Sequence, residues 1–107
     1  MSRLIYTLAT ALSLAAASSF AQDNAAKDAL YVKSLAATCA NCHGTNGKAV
    51  EGSAVVTLAG MPADYITAQM KAFKDGSRPA TIMHQLAKGY SDAQIMQISA
   101  YFAAQKK

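Results

Sequence analysis

Beyond residue 21, apolar positions recur at helical spacing and nothing reads as a pair of alternating strands. The first 21 residues follow a different pattern. A positive start, Met1-Ser2-Arg3, precedes an uncharged, mostly apolar run from Leu4 to Ala17, and Ser19-Phe20-Ala21 then gives a small-x-small cleavage pattern. This predicts a secretory signal peptide over residues 1–21, cut after Ala21, and one domain over residues 22–107. A membrane anchor is the alternative, but about 14 residues fall short of the roughly 20 that span a bilayer.

Within the domain, residues 22–25 predict a short flexible lead-in. Ala26 to Thr38 is alanine-rich, and Ala26, Leu30, Lys33, Leu35, Ala36 and Ala37 all favour a helix. Gly44 to Gly60 holds four glycines and no periodic stretch, which predicts loop. Pro62 suits the first position of a helix, where its missing N–H is not needed. Tyr65, Ile66, Gln69, Met70 and Phe73 then form a mostly apolar stripe, ended by Gly76 and Pro79. Ser91-Asp92-Ala93-Gln94 is a capping box. It opens a last helix with Ile95, Ile98 and Phe102 on one face, and Met96 and Tyr101 beside them. The expected fold is all-α, with three main helices and long loops.

Composition narrows the function. Hydrophobic residues make up 52% and charged residues 15%, and the domain after Arg3 carries nine basic and six acidic residues. So little concentrated charge argues against nucleic acid as a partner. A domain of roughly 86 residues is marginal without a staple, metal or cofactor. Its only two cysteines lie three positions apart, so no disulfide can join distant segments. A buried cofactor is the remaining way to enlarge the core.

Cys39-Ala40-Asn41-Cys42-His43 supplies the means. Two thiols about one helical turn apart can add to the two vinyl groups on one edge of a haem, and the next imidazole can meet the iron. A thioredoxin-like redox pair would need a βαβ context. Zinc would need four ligands, and outside the motif only His84 and carboxylates remain. Haem c, one per chain and covalent, is the expected cofactor, with Cys39 and Cys42 as attachment points and His43 as axial iron ligand.

The sixth ligand must come from a distant segment, and methionine or histidine is usual. Met70 and Met96 fall within predicted helices, where core packing is expected. Met83, between Pro79 and the last helix, is the expected ligand, with Met61 and His84 as alternatives. Adjacent residues point in different directions, so Met83 and His84 cannot both face the iron. His84 is expected at the haem edge or the surface. Gly44 and Gly47 could let backbone approach the ring, or simply mark a turn. Arg78 could pair with a haem propionate. Tyr90 and Tyr101 could hydrogen-bond nearby, although aromatic core packing is expected of each.

On these residues the chain resembles class I cytochromes c. Within them it is most similar to the haem subunits of flavocytochrome c sulfide dehydrogenases, through Leu35 to Gly47, Leu58-Ala59-Gly60, Phe73 to Arg78, Thr81-Ile82-Met83-His84 and Tyr101-Phe102-Ala103. The resemblance implies a haem enclosed by N- and C-terminal helices, Met83 as sixth ligand, and a flavoprotein sulfide dehydrogenase subunit as electron donor. Some such subunits carry two haem domains, whereas this chain has one motif. The expected role is a periplasmic electron carrier rather than an enzyme. The alternative is a freely diffusing cytochrome serving a terminal oxidase or other respiratory partner. An enzyme or gas sensor would need an open iron position, against which Met83 counts. Lys71, Lys74, Arg78 and Lys88 could line an edge that meets an acidic redox partner, or simply solvate helix faces.

Overall fold

The computed structural model describes residues 22–107; the expected signal peptide lies outside the described residues. By internal contacts the chain divides into two units, residues 1–31 and 32–107. In the first, residues 22–31 are helical and exposed. Residues 22–25 are therefore helix, not the expected flexible lead-in, because Ala25, Ala26 and their neighbours contain no breaker to delay helix formation.

Five helices occur among the described residues: α1 over residues 22–37, α2 at Ala40–His43, α3 at Ala63–Asp75, α4 at Met83–Lys88 and α5 at Asp92–Ala103. A 3₁₀ turn at Thr45–Gly47 follows α2, and no strand occurs among the described residues. The three long helices are those expected. The sequence reading missed α4, a six-residue helix whose N-cap, Ile82, makes no side-chain capping bond. Without a hydroxyl or carboxylate at that cap there is no local start signal.

Each end of the long helices has a local cause. Pro62 is the N-cap of α3 rather than its first residue, with extended backbone at φ −56° and ψ 134°. Gly76 closes α3 in the left-handed conformation at φ 86°, where a side chain would be strained. The Ser91 hydroxyl accepts from the Gln94 amide at 3.1 Å, and the Gln94 side chain accepts from the Ser91 amide at 2.9 Å. That reciprocal pair satisfies two otherwise orphaned donors at the start of α5.

In the second unit, α3 packs on both α4 and α5. The core joins Ala36 of α1, Ile66 and Met70 of α3, Ala87 of α4, and Ile95, Ile98 and Phe102 of α5. Met70 is buried as expected, but Met96 is 59% exposed. It follows Ile95 by one residue, about 100° around the helix, and so misses the face that Ile95, Ile98 and Phe102 share. The core also holds a hydroxyl: fully buried Ser99 donates to the Ile95 carbonyl at 2.7 Å, which leaves no orphan.

Candidate functional site

α2 is only one turn long, yet it places two of the motif's three reactive groups on one wall. The His43 amide donates to the Cys39 carbonyl at 2.9 Å, and this i to i+4 bond aligns the two side chains on one helix face. Both line a pocket of about 190 Å³. Cys42 lies outside that lining and is exposed. Both thiols are free of disulfide. Burial pushes the Cys39 thiol above its ordinary pKa; the Thr38 hydroxyl opposes this and the nearby Cys42 adds to it. Cys39 is therefore a neutral thiol at pH 7.

His43 is 9% exposed, and its Nδ1 lies 2.7 Å from the Val56 carbonyl oxygen. A carbonyl only accepts, so Nδ1 carries the proton and donates. The Nε2 lone pair is then left for a metal, in the tautomer that a metal-bound imidazole requires. The loop after α2 thus has a definite task. Val56 and Leu58 line the pocket, and the Leu58 amide is tied to the Gly47 carbonyl at 2.8 Å.

The remaining walls come from α3, α4 and α5. Ile66, Met70 and Phe73 project from α3, Ile98 and Phe102 from α5. Three methionines belong to the lining, Met61, Met70 and Met83. Met70 is 7% exposed and belongs to the core. Met83, the first residue of α4, and Met61, just ahead of α3, are partly buried against that core. His84 does not line the pocket, and its Nδ1 is buried without a hydrogen-bond partner. The divergence of neighbouring side chains separates Met83 from His84 in the expected sense.

Arg78 also lines the pocket, and its place is set by two contacts. Its guanidinium carbon sits 4.7 Å from the Phe73 ring centroid, and it donates to the Gln69 side-chain oxygen. A positive charge so held suits an anionic group on the ligand. The other cations of the expected basic edge are engaged: Lys71 and Lys74 both pair with Asp92, and Lys88 donates to Gln85.

Tyr90 and Tyr101 are half-buried against the core, and each hydroxyl is also bonded. Thr38 donates to the Leu35 carbonyl at 2.7 Å, so its 2.6 Å contact with Tyr90 places the tyrosine as donor. Lys74 donates to the Tyr90 carbonyl at 2.8 Å, which extends the chain of bonds to α3. Tyr101 donates to Asn46 at 2.7 Å. The sequence carried no sign of the Val56 carbonyl or the Gln69 contact, because a backbone acceptor and a lone glutamine leave no motif.

Taken together, the residues fit a haem: apolar walls, an imidazole with Nε2 available, three methionines in the lining, and the free thiol of Cys39 in the lining with that of Cys42 exposed outside it. A family profile described as Cytochrome c matches residues 29–106. The cytochrome subunit of sulfide dehydrogenase from Chlorobaculum tepidum is 40% identical over 68 residues, 64% of this chain and 60% of that protein. Cytochrome c-554(548) from Halomonas halodenitrificans is 37% identical over 86 residues, 76% of this chain and 100% of that protein. Cytochrome c4 from Pseudomonas aeruginosa is 39% identical over 83 residues, 78% of this chain and 41% of that protein. The chain thus spans the whole of the second relative and less than two thirds of the first and third.

Proposed function

The chain belongs to the cytochrome c family and is a monohaem c-type electron carrier, and from that premise we propose that it is the periplasmic electron acceptor of a flavoprotein sulfide dehydrogenase. Residues 1–21 direct export and are removed, and residues 22–107 form the haem domain. Cys39 and Cys42 would form the thioether links, and His43 and Met83 would ligate the iron. The haem iron supplies the one-electron couple. The protein's own groups hold it, with Val56 orienting His43, Arg78 meeting a propionate, and apolar side chains keeping water from the ring. The observation that carries the site is the bond from His43 Nδ1 to Val56, which leaves Nε2 for a metal inside an apolar pocket. The similarity to the Chlorobaculum subunit supports the donor.

Affinity purification from the periplasm of the native host tests the partner. A stoichiometric flavoprotein supports the reading, and a purely monomeric cytochrome overturns it. The second outcome would favour a freely diffusing shuttle to a terminal oxidase or other respiratory partner. For the ligand, Met83→Ala is expected to abolish the near-infrared iron–thioether band of the oxidised protein while leaving the haem attached. Loss of the band in Met61→Ala, with retention in Met83→Ala, would move the assignment to Met61.

A further inference from the structure

The turn behind the haem motif reads Thr45-Asn46-Gly47, and an asparagine followed by glycine is the sequence most prone to cyclise on itself. Glycine offers no side chain to hinder attack by its own amide nitrogen on the preceding side-chain carbonyl. Asn46 is exposed and is the one non-glycine residue at positive φ among the described residues, 54°. Short polar side chains tolerate that conformation best.

Two bonds hold the pair in place. The Gly47 amide, the would-be nucleophile, donates to the Gly44 carbonyl at 2.9 Å. The Asn46 side chain, the would-be electrophile, is pinned from the other end by the Tyr101 hydroxyl at 2.7 Å. Gly47 itself is buried; a Cβ there would stand 2.7 Å from Phe102 Cδ1 and 3.0 Å from Leu58 Cβ. Cyclisation therefore has to wait for the turn to open, so its rate follows the opening equilibrium.

We propose that Asn46–Gly47 is a self-modification site of the cytochrome, latent while the Tyr101 and Gly44 contacts hold and converted to isoaspartate when they open. The Gly47 nitrogen bonds to Asn46 Cγ, the Cγ–nitrogen bond of the amide breaks, and ammonia leaves with the Gly47 proton. Water then hydrolyses the succinimide at either carbonyl, giving aspartate or isoaspartate. No redox partner is needed. The isoaspartyl product routes the main chain through an extra methylene immediately before Gly47. That position has no slack, because the Gly47 carbonyl accepts from both the Leu58 and Ala59 amides, and Leu58 and Phe102 wall the pocket. Ageing at this turn therefore loosens the wall behind the haem.

The test is to age the purified holoprotein at mildly alkaline pH and map its peptides for isoaspartate, with Asn24, which precedes alanine, as internal control. Three samples are compared: native wild type, wild type held unfolded in guanidinium, and native Tyr101→Phe. Isoaspartate should collect at residue 46, slowly in native wild type and far faster in the unfolded chain. In Tyr101→Phe it should form about fivefold to tenfold faster than in native wild type, the opening released by losing one hydrogen bond. The aged native fraction should show a lower reduction potential than the fresh protein, since water reaching the haem favours the oxidised state. Equal rates in native and unfolded wild type would remove the protection. No enrichment at residue 46 over residue 24 in the unfolded chain would remove the site itself. An unchanged potential in the aged fraction would remove the link to the pocket.

Discussion

The two stretches that build the pocket are held in different ways. Between Cys39 and Gly60 only His43, Gly47 and Ala59 are buried, and order comes from backbone bonds: Gly47 to Gly44, Leu58 and Ala59 to Gly47, and the Val56 carbonyl to His43. Between Ala63 and Ala103 order comes from apolar packing, with Ile66, Met70, Ala87, Ile95, Ile98 and Phe102 buried together. Hydrogen bonds fix direction sharply, whereas packing fixes volume and tolerates small shifts. The first stretch therefore suits a ligand whose ring orientation matters, His43. The second suits a flexible thioether such as Met83.

Two glycines put this contrast to its severest test. Gly44 and Gly76 share a positive φ, 82° and 86°, but not ψ, which is 163° at Gly44 and 2° at Gly76. A Cβ on Gly44 would fall 1.7 Å from the Lys48 carbonyl oxygen, while one on Gly76 meets nothing within 4 Å. Gly44→Ala should therefore cost at least about 4 kcal/mol, because the main chain of the loop has to move. Gly76→Ala should cost only about 1–2 kcal/mol, the strain of the left-handed conformation alone. Guanidinium denaturation of the two holoproteins measures both. Equal costs would mean that the loop after α2 is as tolerant as the helix ends, and the contrast would fail.

A smaller effect belongs wholly to the helical stretch. Ser91→Ala removes the acceptor of the Gln94 amide at the start of α5 and should cost about 1 kcal/mol. Because α5 is also held by Ile95, Ile98 and Phe102, the loss should appear as a shifted denaturation midpoint with no change in the haem spectrum. A spectral change would show that the helix start, and not only its packed face, sets the pocket.

The same contrast explains what the sequence made legible. Cys39, Cys42 and His43 were readable because haem attachment needs its reactive groups contiguous. The Ser91–Gln94 box and the Gly76 stop were readable because capping is local. Met83 is expected as a ligand only from its place between Pro79 and the last helix, and its own short helix was invisible because Ile82 gives no cap signal. The Val56 carbonyl, which sets the tautomer of His43, lies thirteen residues along the chain and belongs to the backbone. No side-chain pattern can announce such a group. Met96 was misplaced for a related reason: helical spacing gives a face, but a residue at its border is decided by packing partners that the sequence does not name.

The weakest link in the helical stretch is electrostatic, and its sign can be worked out. Asp92 accepts from Lys74 at 3.0 Å and pairs with Lys71 at 3.4 Å, tying the start of α5 to α3. The Lys74 hydrogen bond first, then the charges of Lys74 and Lys71, hold its carboxyl below the usual aspartate range. A group with a depressed pKa in the folded state contributes stability that is present above its unfolded value, about 3.9, and is lost as pH falls through the folded value. The carboxylate is fully exposed, so water and salt screen most of the attraction. Asp92→Asn should therefore lower the denaturation midpoint slightly at pH 7 and less in high salt. Wild type and variant should converge as the pH is taken below about 4. A difference that persists in acid would mean that Asp92 acts through its shape at the first turn of α5 and not through its charge.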